Sequence, residues 1–98
     1  MIVQISSDAE LDILEGYRFY EDQSPGLGEY FRDSVLADID ALAFFAGIHE
    51  RAFGHHRMLC KTFPYAVYYD CDASAERVTV IAVVDCRRNP SWTRDRLM

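Results

Sequence analysis

Residues 77–92 read Arg77-Val78-Thr79-Val80-Ile81-Ala82-Val83-Val84-Asp85-Cys86-Arg87-Arg88-Asn89-Pro90-Ser91-Trp92. Seven of the eight residues from Val78 to Asp85 suit a buried strand. The run predicts an interior strand. The strand ends abruptly in paired arginines, with Arg94 and Arg96 close behind. A concentrated positive charge at a sheet edge marks the place where this chain is expected to touch its target.

Two more β-rich runs precede it, Arg57–Phe63 and Tyr65–Cys71. Pro64 between them cannot donate to a ladder, so a bulge or corner is expected there. Asp72-Ala73-Ser74-Ala75 suits a hairpin loop, and 47–56 reads as loop with a turn at Gly54. At the other end, Ile2, Val3 and Ile5 suggest a short first strand. Ser6 or Ser7 then offers an N-cap, and Ser7 with Glu10 has the spacing of a capping box. Ile13, Tyr17 and Tyr20 recur at helical spacing, which predicts a helix over 8–23 with Gly16 at a close approach to a neighbour. Ser24-Pro25-Gly26-Leu27-Gly28 breaks it, and Phe31, Val35, Ile39 and Leu42 mark one face of a second helix over 28–45. So short a connection implies an antiparallel hairpin. The order β-α-α-β-β-β describes an α+β domain, the hairpin packed on a mainly antiparallel sheet.

Ninety-eight residues predict a single domain spanning 1–98. Half the residues are hydrophobic and 27% are charged, an ordinary globular balance. No apolar run approaches the about 20 residues of a membrane span, and the first residues do not resemble a signal peptide, so the expected compartment is the cytoplasm with no membrane partner. The three cysteines, Cys60, Cys71 and Cys86, have no metal-ligand spacing and no disulfide pattern. The arginines beside Cys86 are expected to lower its thiol pKa. His49, His55 and His56 are expected to be solvent-exposed loop residues, and no metal or cofactor is called for. The net charge of −6 is uneven. Residues 1–40 carry ten acids against two bases, and residues 41–98 carry six acids against eight bases. The basic half is the better surface for phosphate or carboxylate.

Three segments resemble the RelE/ParE toxin superfamily of bacterial type II toxin–antitoxin systems, in the right order over nearly the whole chain. Tyr20-Glu21-Asp22-Gln23-Ser24-Pro25-Gly26-Leu27-Gly28 with Phe31 and Val35 resembles the helix–turn–helix stretch of ParE-like plasmid stabilisation proteins. Phe63-Pro64-Tyr65-Ala66-Val67-Tyr68-Tyr69 is similar to their Phe-Pro-Tyr strand, and Val80 to Pro90 with Trp92 is similar to their last strand and its Arg-Arg-x-Pro exit. The resemblance implies a toxin neutralised by a cognate antitoxin. ParE-like members poison DNA gyrase, and RelE-like members cleave mRNA in the ribosomal A site. Family members often carry His where this chain has Asp85.

The residues discriminate between these activities. RNA cleavage without a metal needs a base for the 2′-hydroxyl, cations over the phosphate and an acid for the leaving oxygen. Arg57, Lys61, Arg87 and Arg88 can supply the cations, provided the three β-runs are neighbours. No acid–base pair is evident, because Asp85 beside an arginine should ionise too readily. A net charge of −6 also works against docking on ribosomal RNA. The preferred reading is therefore a gyrase-binding inhibitor that meets its target through Arg87, Arg88, Trp92 and Arg94. For Trp92 the residues alone favour a second role, covering the end of the core. The alternatives are a RelE-like, ribosome-dependent endoribonuclease and a non-toxic relic that retains only antitoxin binding or self-association as a homodimer. Tyr65, Tyr68 and Tyr69 are expected to pack in the core and across strands.

Overall fold

A computed structural model describes residues 1–98. Its elements are β1 (Ile2–Ile5), α1 (Ser7–Gln23), α2 (Leu27–Asp40), α3 (Leu42–Phe45), β2 (Arg51–Ala52), β3 (His55–Leu59), β4 (Tyr65–Asp72), β5 (Arg77–Asp85) and α4 (Pro90–Leu97). One sheet has the order β1-β5-β4-β3-β2, with β1 parallel to β5 and every other pair antiparallel. This is the expected α+β architecture, and β5 is the interior strand that its composition predicts. No helix is long and apolar enough to cross a membrane.

The helical hairpin covers one face of the sheet. Tyr65, Val67 and Tyr69 of β4 and Val78, Val80 and Val83 of β5 meet Ala9, Ile13 and Tyr20 of α1 and Phe31, Val35 and Ile39 of α2. Gly16 lets the helices close up: a Cβ there would lie 2.5 Å from the Phe31 ring. The opposite face carries a smaller cluster, Ala66, Tyr68, Ala82 and Val84, with Leu97 of α4 packed against it. Along β5 the pairing register shifts opposite Tyr68 and Tyr69, from Ala82 to Val80. Ile81 is the extra residue, and beyond it the alternation of β5 is reversed. The bulge thus turns Ala82 and Val84 onto the second face, as required to complete it.

β1 ends opposite Val80, which leaves the outer edge of β5 uncovered further on. α1 fills the gap with a side chain. Asp12 Oδ2 accepts the Val83 N–H at 2.9 Å and a second bond from Arg96 at 2.8 Å, joining α1, β5 and α4 through one carboxylate. Burial raises the Asp12 pKa in spite of both bonds.

Several local expectations need correction. Ser6 is the N-cap of α1, accepting from the Ala9 N–H at 3.1 Å. Ser7 is already helical, so the Ser7/Glu10 box is not formed. The second helix is not continuous to Phe45. It stops at Asp40 and resumes as the short α3. Asp38 and Asp40 oppose the helix dipole at that end, and Asp38 is drawn instead to the backbone N–H of Lys61 at 3.0 Å. β3 starts earlier and stops at Leu59, so 60–64 is a corner around Pro64, and β2 lies inside the expected loop. The tail after Pro90 is a helix, started by Asn89, which accepts from the Ser91 N–H at 2.9 Å, and by proline in the first turn.

Candidate functional site

The second face of the sheet is only partly covered. Between the β2–β3 ribbon and the start of α4 lies a groove of about 780 Å³. Ala66, Tyr68 and Val84 form its floor, and Arg51, Arg57 and Arg88 stand around it. The alternation of β3 and β4 positions Arg57. It sits opposite Tyr68, on the face away from the helices, and its Nε donates to the Tyr68 hydroxyl at 3.1 Å. A second Arg57 nitrogen lies 3.7 Å from Cys86 Sγ. Arg88 leaves the end of β5 and lies over the Trp92 ring, 4.2 Å from its centroid. Arg51 donates to the Gly54 carbonyl at 2.7 Å.

None of these three arginines has a carboxylate within ion-pair distance. The ion pairs of the chain fall on Arg32, His55, Arg87 and Arg96. Asp85 borders the groove, but Arg87 occupies it, NH2 to Oδ2 at 2.8 Å. The hydrogen bonds from Arg87 hold the Asp85 carboxyl below its usual range. A groove with uncommitted guanidinium groups in an acidic protein suits an anionic or carboxylate-bearing ligand.

The sequence-predicted residues divide. Arg57 and Arg88 share the groove. Lys61 does not join them: it lies beside a separate, mostly apolar cavity of about 210 Å³ with Leu42, Phe45 and Leu59. The corner at 60–64 takes it off the β3 ladder. Arg87 is committed to Asp85 and approaches the Tyr20 hydroxyl at 3.4 Å, on the helix side of the strand end. Arg94 is exposed on α4 and lines no cavity. Trp92 does not cover the core. It is 40% exposed, and Thr93 and Leu97 are the α4 residues that pack inward.

The histidines are not free loop residues. His49 Nδ1 lies 2.6 Å from the Tyr69 hydroxyl, His55 Nδ1 lies 2.6 Å from Asp70, and His56 stacks on Tyr69. His49 and Glu50 line the groove, a placement that no local motif signals. The short β2 brings them there by pairing Arg51 with His56. The Cys86 thiol pKa is raised, not lowered, because desolvation outweighs the neighbouring Arg57. Burial and the charge of Asp38 push the Cys60 thiol up to about 12. The three cysteines are free. Tyr65, Tyr68 and Tyr69 are buried, as expected.

No protein-family model and no curated protein matches the sequence. Solved structures do. A chain of the chromosomal ParDE TA system from P. aeruginosa superposes with a TM-score of 0.77 at 12% identity, covering 87% of this chain and 95% of that one. The isolated E. coli RelE toxin superposes with a TM-score of 0.60 at 15% identity, covering 96% and 93%. The architecture built up above, a helical hairpin packed on one face of a five-stranded sheet, is therefore the RelE/ParE toxin fold.

Proposed function

We propose that this chain is the toxin of a bacterial type II toxin–antitoxin system, ParE-like, which binds and inhibits DNA gyrase and is neutralised by a cognate antitoxin. The observation that carries the reading is the state of the groove's charges. Arg57 and Arg88 have no carboxylate partner, whereas Asp85 is locked by Arg87. That arrangement supports recognition of an acidic surface, since the hydrogen bonds from Arg87 lower the Asp85 pKa and make it a weak proton acceptor. A protein target also asks only for local complementarity, which an acidic chain with a basic groove can provide. Regulated expression without an antitoxin should arrest growth, and purified protein should block supercoiling by gyrase. Normal supercoiling at large molar excess of the protein rules this target out.

A second reading has its own support. His49 and Glu50 line the same groove as Arg57 and Arg88, a set with the chemical types that metal-free RNA cleavage requires. Against it, His49 Nδ1 is engaged by Tyr69. Mapping mRNA ends on translating ribosomes separates the two, because codon-phased cuts occur only for a ribosome-dependent nuclease.

A further inference from the structure

Residues 48–53 line one wall of the groove, and Tyr69 holds the 47–53 segment that carries this wall in place. Tyr69 is fully buried on β4. Its hydroxyl accepts the Gly47 N–H at 3.0 Å and lies 2.6 Å from His49 Nδ1. The His56 ring stacks on the Tyr69 ring, centroids 5.0 Å apart and planes 21° from parallel. His56 Nδ1 lies 2.9 Å from the His49 carbonyl, and His56 Nε2 lies 3.3 Å from an Arg51 nitrogen.

These partners fix both tautomers. A carbonyl only accepts, so His56 Nδ1 carries a proton. A guanidinium only donates, so His56 Nε2 presents its lone pair to Arg51. The Tyr69 oxygen already accepts from Gly47, and of the two directions open to the His49 contact, the one that gives the Tyr69 hydrogen an acceptor has the hydroxyl donating to Nδ1. In that arrangement His49 carries its proton at Nε2. This arrangement favours the neutral His49 ring.

A further proton on the His49 Nδ1 sets a donor against the Tyr69 hydroxyl. It leaves the Tyr69 hydroxyl hydrogen without an acceptor inside the core. Charged and titratable groups of both signs surround the pair. His56 faces His49, Arg51 belongs to β2, Arg57 to β3, and Lys61 borders the cavity that His49 shares on the helix side. The carboxylates on these sides are Glu50, Asp85 and Asp38. Arg87 occupies Asp85, and the Lys61 N–H occupies Asp38. Cys71 adjoins Tyr69 on β4. Burial, and then His56, lowers the His49 pKa.

We propose that His49, Tyr69 and His56 form a pH-sensitive latch, which holds the 47–53 wall against the sheet at neutral pH and releases it on acidification. Ile48 and His49 line both the basic groove and the apolar cavity below it. Release of the wall joins the two spaces and dismantles the shape of the groove. The direction follows from linkage. His49 has a folded pKa below its unfolded value, so the latch is at full strength above about 6.5 and weakens as pH falls below that.

NMR on the intact chain tests the latch directly, from about pH 8 to about pH 5. The expected result is a His49 titration below the ordinary histidine range. Amide exchange protection at Gly47, corrected for intrinsic rates, should fall about tenfold or more over the same interval, with β4 and β5 amides unaffected. His49 titrating at or above about 6.5, or pH-independent protection at Gly47, overturns the proposal. Tyr69→Phe keeps the ring and its stacking and removes the hydroxyl. Gly47 should then exchange rapidly already at neutral pH and lose its pH dependence. A Tyr69→Phe chain with wild-type protection at Gly47 also overturns it. None of these readouts depends on toxicity, so the latch and the functional reading stand or fall separately.

Discussion

Arg87 grips Asp85 with two parallel hydrogen bonds, Nε to Oδ1 at 2.9 Å and NH2 to Oδ2 at 2.8 Å, while the Arg87 backbone N–H donates to Oδ1 at 2.8 Å. The bidentate pair neutralises itself at the strand exit. It leaves Arg88 as the free cation of the Arg87–Arg88 doublet. Because the folded pKa of Asp85 is depressed, its stabilisation is present above about pH 3.9 and is lost as pH falls through the folded value. Arg87 is 54% exposed, so screening keeps the pair worth no more than about 1 kcal/mol. Asp85→Asn should lower stability at neutral pH by that order and flatten the acid limb of the stability profile, measured by urea denaturation at a series of pH values.

Glu21 ties the hairpin turn together alongside its glycines. One Glu21 oxygen accepts from the Gly26 and Gly28 N–H groups, both at 3.0 Å, and the other approaches Gly26 at 3.1 Å. Gly26, the N-cap of α2, has no side chain to cap with, and Glu21 supplies the missing acceptor from the end of α1. Glu21→Ala should cost about 1 kcal/mol in chemical denaturation, and Glu21→Gln should recover part of it.

Gly16 and Gly28 are the points of closest helix approach. A Cβ at Gly28 would meet the Tyr17 carbonyl oxygen at 2.6 Å and Glu21 Cβ at 2.8 Å, whereas at Gly16 it meets the edge of the Phe31 ring. A ring can shift and a helix backbone cannot. Gly16→Ala should destabilise by about 1–3 kcal/mol, partly offset by the about 1 kcal/mol gain in helix propensity. Gly28→Ala should cost more. Thermal melts of the two variants give the order.

The sequence makes these long-range features legible to different degrees. β5 announces itself because a buried strand needs consecutive apolar residues, and its bounds, Arg77 and Asp85, agree with the structure. The buried faces of the helices are readable from the spacing of Ile13, Tyr20, Phe31, Val35 and Ile39, but the break after Asp40 is not. The groove is a different case. Arg57 and Arg88 meet because β3 and β5 flank β4, which follows once three neighbouring strands are expected. Lys61 fails to join them because the backbone leaves the ladder after Leu59, and strand composition does not register where a ladder ends. His49 and Glu50 enter through a two-residue strand with no pattern long enough to read. α4 is missed because it is short and polar, held by Asn89 at its start and by one ion pair to Asp12, 84 residues away.

The division of the arginines gives a functional test. Arg57→Ala and Arg88→Ala remove guanidinium groups that share the groove and have no carboxylate partner within the chain, so little folding stability should be lost. Each uncommitted arginine that pairs with a target carboxylate contributes about 1.4 kcal/mol or more, so each variant should lose about tenfold or more in inhibitory potency. Lys61→Ala removes a cation outside the groove and should leave potency near wild type. Trp92→Ala should have an intermediate effect, because it removes the ring on which Arg88 is stacked but not Arg88 itself. Growth arrest on titrated expression, paired with inhibition by the purified variants and their thermal melts, separates lost recognition from lost folding. If Lys61→Ala proves as damaging as Arg57→Ala at unchanged melting temperature, the target contacts the apolar cavity as well, and the groove alone is not the interface.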